Sequence, residues 1–177
     1  MAKHPEQVRI LVAHEPPAAQ ELPDREAVLA VCEAIKDTYL REGYGPAMAK
    51  FITLVTYQGP IPAGFADQPG PDPATFGLPT VDDGSRDDAL LHLNMPSCPA
   101  YRHDFGALRA ASTRIAIAVG AQSSTAIAGR AAVAVAEKLG TEPVTFPGGH
   151  DGFRGSEQGG TGEPDAFAAT LREVLTH

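Results

Sequence analysis

The strongest constraint on the fold is an alternation of short apolar runs with helical patterns in the last third of the chain. Arg114–Val119 and Pro143–Phe146 are short apolar runs, a pattern typical of buried strands. An alanine-rich helical pattern ending at Leu139 lies between them, and Pro164 opens a last helix. Strand–helix–strand–helix with short links predicts parallel strands joined by right-handed crossovers.

A third apolar run, Val8–Ala13, lies near the N-terminus and ends just before Pro16 and Pro17. Because proline cannot donate a hydrogen bond to a sheet, this run is predicted to be a strand that ends there. The residues between the first and second runs carry helical patterns and a proline-rich loop. We therefore predict an α/β protein of about three parallel strands, with a core of residues 1–17 and 112–177 and a helical insertion of residues 18–111.

The composition excludes several classes of partner. The 177 residues carry a net charge of -8 with only 14 lysines and arginines, whereas nucleic-acid binding needs clustered basic residues. No apolar run approaches the roughly 20 residues that cross a bilayer, and the N-terminus lacks the pattern of a signal peptide. Neither nucleic acid nor a membrane is expected as a partner.

The cysteines and histidines do not predict a metal site. Cys32 and Cys98 lack the spacing of metal ligands and are interpreted as reduced thiols of a cytoplasmic protein. Four histidines share no ligand spacing either: His14, His92, His103 and His150. No metal and no cofactor is predicted.

The segment Phe-Pro-Gly-Gly-His-Asp-Gly-Phe, residues 146–153, follows the last predicted strand. A histidine in this position can hold its imidazole at the C-terminal edge of a parallel sheet, where it can accept and return a proton near neutral pH. The order of segments resembles the C-terminal half of the α/β-hydrolase family. Val8–Pro17 resembles its sixth strand, residues 18–111 its helical cap, Arg114–Gly120 its seventh strand, and residues 146–153 its eighth strand and catalytic-histidine loop.

The resemblance implies acyl-transfer chemistry on a small ester, thioester or amide, with His150 as the catalytic base. The acid of this family usually follows the seventh strand, but the loop there contains Gln122 and no carboxylate. Gln122 can hold an imidazole by hydrogen bonding, but it cannot stabilise the imidazolium as an anion does. Some members place the acid after the sixth strand, where Glu15 stands, so Glu15 is the candidate acid. Asp151 is a weaker candidate, because a neighbour in sequence normally points away from the histidine.

The family's nucleophile lies in a G-x-S-x-G turn between a strand and a helix, and no such motif occurs in the chain. In the resembling segment Gly120–Ser124, Gln122 occupies the nucleophile position, and Ser123 or Ser124 is predicted to cap the following helix. The motif would belong before Met1. We therefore expect little or no ester hydrolysis by these 177 residues alone, with the nucleophile coming from a partner or a longer gene product.

The first predicted strand would normally pair with the nucleophile strand, so its edge is expected to recruit another chain. The sequence predicts a homodimer, or a complex with a separate N-terminal half. An alternative is a non-catalytic remnant that serves as a ligand- or protein-binding module, which Gln122 favours. A flavodoxin-like binding domain would need a phosphate-binding loop after its first strand, and Glu15-Pro16-Pro17 is a poor one.

Overall fold

The computed structural model describes residues 3–176, apart from the side chain of Gln158. The chain divides into two compact units: Met1–Pro17 with Arg102–His177, and Ala18–Tyr101. Residues 102–111, which the sequence analysis assigned to the insertion, therefore belong to the first unit. Two contacts join this segment to the unit: the guanidinium of Arg109 donates a hydrogen bond of 2.6 Å to the carbonyl of Lys138, and the Lys138 ammonium lies 5.5 Å from the centre of the Phe105 ring.

The first unit is built on an open sheet of three strands, β1 (Ile10–His14), β2 (Arg114–Gly120) and β3 (Val144–Phe146). The strand order is β1-β2-β3 and both pairings are parallel. The predicted α/β class with parallel strands is thus confirmed. The carboxyl ends of the three strands meet at one edge of the sheet, as parallel pairing requires.

The second unit is helical. It contains α1 (Arg25–Glu42), α2 (Tyr44–Thr56), a π-helix (Ala89–Asn94) and the single-turn α3 (Met95–Ser97). The π-helix continues directly into α3, because Pro96 lies in the first turn of α3, where a missing N–H costs nothing. The N-cap of the π-helix is Asp88, whose carboxylate accepts a hydrogen bond from the backbone N–H of Leu91 at 2.9 Å.

Among the described residues, the first unit contains three α-helices: α4 (Phe105–Ala110), α5 (Ile127–Leu139) and α6 (Pro164–Thr176). The predicted capping of α5 by Ser123 or Ser124 is wrong, because the N-cap is Ala126 and no side chain caps it. None of the described helices is both long enough and apolar enough to cross a membrane.

Small residues let α5 pack closely on β2. Ala131, Ala132 and Ala136 are buried on the helix, and Ala116 and Ala118 are buried on the strand. At the start of the helix, a Cβ at Gly129 would lie 2.0 Å from the carbonyl oxygen of Ser123. The loop between β2 and α5 can therefore fold back on the helix only because position 129 has no side chain.

This contact predicts opposite outcomes for two glycine substitutions. Gly129→Ala should lower the free energy of unfolding by about 1–3 kcal/mol, because overpacking against a backbone oxygen outweighs the better helix propensity of alanine. Gly106→Ala in α4 is the control. Its Cβ would meet only the Asp104 carboxylate, at 3.3 Å, and the change should stay within about 1 kcal/mol. Equal effects of both substitutions in urea unfolding would contradict the packing argument.

Candidate active site

The C-terminal edge of the sheet brings together one residue from the end of each strand region. Glu15 follows β1, Gly120 ends β2, and His150 lies in the turn that leaves β3. Glu15 and His150 are 135 positions apart in the chain, yet Nδ1 of His150 lies 2.8 Å from Oε2 of Glu15. The two residues thus form a hydrogen-bonded acid–histidine pair.

The two partners differ sharply in exposure. The side chain of Glu15 is fully buried, whereas the side chain of His150 is 65% exposed. A carboxylate on Nδ1 favours the tautomer or imidazolium in which this nitrogen carries a proton. The arrangement therefore leaves the other ring nitrogen, Nε2, on the exposed side chain as the atom that can exchange protons with a ligand.

The second oxygen of the Glu15 carboxylate is also held. The backbone N–H of Gly120 donates to Oε1 at 2.8 Å, and the buried hydroxyl of Ser123 donates to the same oxygen. With both oxygens occupied, the carboxylate has one orientation. The Ser123 hydroxyl is the contact that the sequence analysis missed, because it assigned this serine to helix capping.

Glu15 has an unusual backbone. It is the only non-glycine residue with a positive φ in the described part of the chain, at 46°, and this conformation is disfavoured for residues with a Cβ. Its N–H still donates to the Ala118 carbonyl of β2 at 2.9 Å. The strand pairing is kept while the side chain turns toward His150, a form of local strain that occurs mainly at functional sites.

Glycines allow the histidine loop to lie against β2. A Cβ at Gly120 would lie 2.7 Å from the carbonyl carbon and oxygen of Gly149. Gly148 has φ +79°, and its Cβ would lie 2.8 Å from the Cα of Gly152. The backbone N–H of Gln122 also donates to the Gly148 carbonyl at 3.0 Å. The loop that carries His150 is thus fixed through its backbone.

The hydrogen bonds shift both pKa values. Burial raises the pKa of the Glu15 carboxyl, but hydrogen bonds from His150, Ser123 and Gly120 outweigh burial and bring it below the ordinary value of 4.5. The hydrogen bond to Glu15 raises the pKa of His150 above 6.5, against partial burial. Both shifts favour the ionised carboxylate and the protonated imidazole, as expected of an ion pair.

The other sequence candidates lie outside this pair. The side chain of Gln122 is exposed and makes no hydrogen bond with His150, so Gln122 does not hold the imidazole. Asp151 lies 3.8 Å from the Arg154 guanidinium and acts on His150 only through its charge. Ser124 is exposed. Glu15 thus occupies the position next to the imidazole for which Gln122 and Asp151 were also considered.

His14 is a residue near the site that the sequence analysis considered only as a metal ligand. Its ring centroid lies 6.2 Å from that of His150. No sequence signal distinguishes it, because it precedes Glu15 and would point to the opposite face in a regular strand. Within residues 3–176, no group of three or more histidine, cysteine or acidic side chains could hold a metal ion.

Comparisons with known proteins give no relative for this chain. No family model, no curated protein and no solved structure matches it significantly.

The role of Ser123 predicts a change in the pH dependence of stability. The lowered pKa of Glu15 stabilises the fold above pH 4.5, and this contribution is lost as the pH falls through the folded-state pKa. Ser123→Ala removes one of the hydrogen bonds that lower this pKa. The folded-state pKa of Glu15 should then lie nearer 4.5, so the stability lost on acidification should be smaller than in the wild type and the loss complete at a higher pH.

The adjacent Ser124→Ala is the matched control and should follow the wild-type curve, because Ser124 is exposed. In Ser123→Ala the alkaline limb of the stability curve should change less than the acid limb. The alkaline limb comes from His150, which stabilises the fold below 6.5 and loses this contribution as the pH rises through its raised pKa. Urea unfolding at a series of pH values measures both limbs. Coincident acid limbs for the two variants would argue against the hydrogen bond to Glu15.

Proposed function

We propose that Glu15 and His150 are the acid and the base of an α/β-hydrolase-type active site that acts on a small ester, thioester or amide. One observation carries this proposal. A fully buried carboxylate accepts a hydrogen bond from Nδ1 of a largely exposed histidine at the C-terminal edge of a parallel sheet. Acid–histidine pairs of this kind orient the ring and stabilise the imidazolium during acyl transfer.

The proposed mechanism follows from the two ring nitrogens. With Nδ1 bonded to Glu15, Nε2 of neutral His150 accepts the proton of a hydroxyl or thiol as that group attacks the acyl carbon. Glu15 stabilises the resulting imidazolium. The imidazolium then donates its proton to the departing alcohol, thiol or amine, which leaves an acyl intermediate that water hydrolyses by the same proton transfers.

The order of elements supports the resemblance to the family. A strand ending in the acid is followed by a helical unit, a second strand, a helix, and a third strand leading to the histidine. This is the order that the resemblance implies for the sixth to eighth strands of an α/β-hydrolase, with the acid in its alternative position after the sixth strand. We propose that Ala18–Tyr101 corresponds to the cap.

The proposed reaction needs a nucleophile, which we place outside the described residues. Across residues 3–176, no hydroxyl or thiol hydrogen bonds with Nε2 of His150, and Ser123 is engaged by Glu15. Among the described strands, β1 pairs with β2 alone, and Leu11 on β1 is 36% exposed. We propose that a segment bearing the nucleophile, on a partner or a longer gene product, pairs along this edge.

The edge predicts association of the 177-residue chain. An unpaired strand with an exposed apolar side chain recruits a second strand, so we expect a homodimer at micromolar concentration, measured by size-exclusion chromatography with light scattering. Leu11→Lys should shift the protein toward monomer, and Leu93→Lys, a change at an exposed leucine of the helical unit, should not. A wild-type monomer at that concentration would contradict pairing through β1.

Ester hydrolysis tests the function itself. The 177-residue chain should hydrolyse p-nitrophenyl acetate no faster than buffer, because the pair has no nucleophile to activate. If the reading frame continues upstream of Met1 through a G-x-S-x-G motif, the extended protein should be active. His150→Ala should then lower kcat/KM by about 1,000-fold or more, and Glu15→Gln by a comparable or smaller factor.

His92→Ala, which removes a histidine of the helical unit, is the control and should leave kcat/KM unchanged. Activity of the extended protein that survives His150→Ala would exclude the proposed base. Turnover by the 177 residues that is lost in Ser123→Ala or Ser124→Ala would instead place the nucleophile within this chain.

A binding module without catalysis is the second candidate. The observation that favours it is the lack of a nucleophile on Nε2 within the described residues. Gln122 supports this candidate less than the sequence alone indicated, because a carboxylate, that of Glu15, does lie 2.8 Å from Nδ1 of His150. We further propose a cytoplasmic location, since Cys32 and Cys98 are both free thiols.

A further inference from the structure

His14 and Glu15 are consecutive residues whose side chains both lie beside His150. In a regular strand they would point to opposite faces. The positive φ of Glu15 ends this alternation. As a result, the Glu15 carboxylate lies 2.8 Å from Nδ1 of His150, and the His14 ring lies 6.2 Å from the His150 ring, tilted by 32°. The exposed imidazole thus has a neighbour on the sheet besides its acid.

The His14 ring is itself held by aromatic contacts. Its centroid lies 5.6 Å from that of Phe146 at the end of β3 and 5.1 Å from that of Phe167 on α6, both near edge-to-face. Phe146 and Phe167 are 4.7 Å apart, and Phe153 of the histidine loop lies 5.8 Å from Phe167. These rings connect β1, β3, α6 and the histidine loop into one cluster.

The His14 ring brings a polar nitrogen into this aromatic cluster. Its Nε2 is buried and has no hydrogen-bond partner in the described residues, and such a buried polar atom generally destabilises a fold. Burial lowers the pKa of His14 below 6.5, so its ring is neutral at neutral pH. A neutral ring can contact the imidazolium of His150 without adding a second positive charge.

We propose that His14 is a positioning residue, whose ring confines the His150 imidazole to the orientation in which Nδ1 meets Glu15. In the proposed hydrolase its effect on turnover would be exerted through His150 alone, and this role in turnover rests on the proposed function. The positioning itself is a property of the folded chain. It can be measured without substrate.

An NMR titration of the histidine ring protons tests this proposal. The His150→Asn spectrum identifies the His150 signal among the six histidines. In His14→Leu, which removes the ring, the pKa of His150 should shift down toward 6.5, because the imidazole leaves Glu15 for part of the time. In His14→Phe, which keeps an aromatic ring, the pKa should stay raised. His92→Leu, which removes another histidine with a buried unpartnered nitrogen, should leave it unchanged.

An unchanged His150 pKa in folded His14→Leu would overturn the proposal, since His14 would then be a packing residue only. A fall in both His14→Leu and His14→Phe would overturn it as well, because the ring shape would not be what matters. If His14→Leu fails to fold, His14→Gln takes its place with the same expected shift. Failure of the esterase prediction does not affect these readouts, so the two proposals fail separately.

Discussion

The buried carboxylate of Glu15 is the group on which the site depends. A charge removed from water is stable only when its lone pairs are satisfied, and here three donors satisfy them: the Gly120 amide, the Ser123 hydroxyl and the His150 imidazole. Each donor comes from a different place at the sheet edge. The single group therefore fixes the end of β2, the loop that follows it and the histidine loop relative to β1.

This requirement explains features that are costly by themselves. Glu15 adopts a left-handed backbone, Gly120 cannot carry a side chain beside Gly149, and Gly129 cannot carry one beside the Ser123 carbonyl. Each feature brings a donor within reach of the carboxylate or lets the histidine loop close over β2. The positive φ of Glu15 lies where the acid–histidine pair forms, as backbone strain at a functional site does.

The sequence predicted the elements that follow from local pattern. The apolar runs predicted the three strands to within two residues at each end, and the pattern placed the end of α5 at Leu139 and the start of α6 at Pro164. It failed where a polar residue had two possible partners. Ser123 belongs to a residue type that often caps helices, but its hydroxyl donates to Glu15 instead. Such choices depend on residues distant in the chain.

The sequence by itself determined that this chain forms a parallel α/β sheet with a histidine at its C-terminal edge, because hydrophobic periodicity and turn residues act locally. It proposed Glu15 as the acid beside His150, with Asp151 as a weaker candidate and Gln122 at the usual position of the acid, but it could not show which of them meets the imidazole. Only the tertiary structure decided for Glu15. The choice depends on which carboxylate the sheet register brings within 2.8 Å of the imidazole, and register is a property of paired strands.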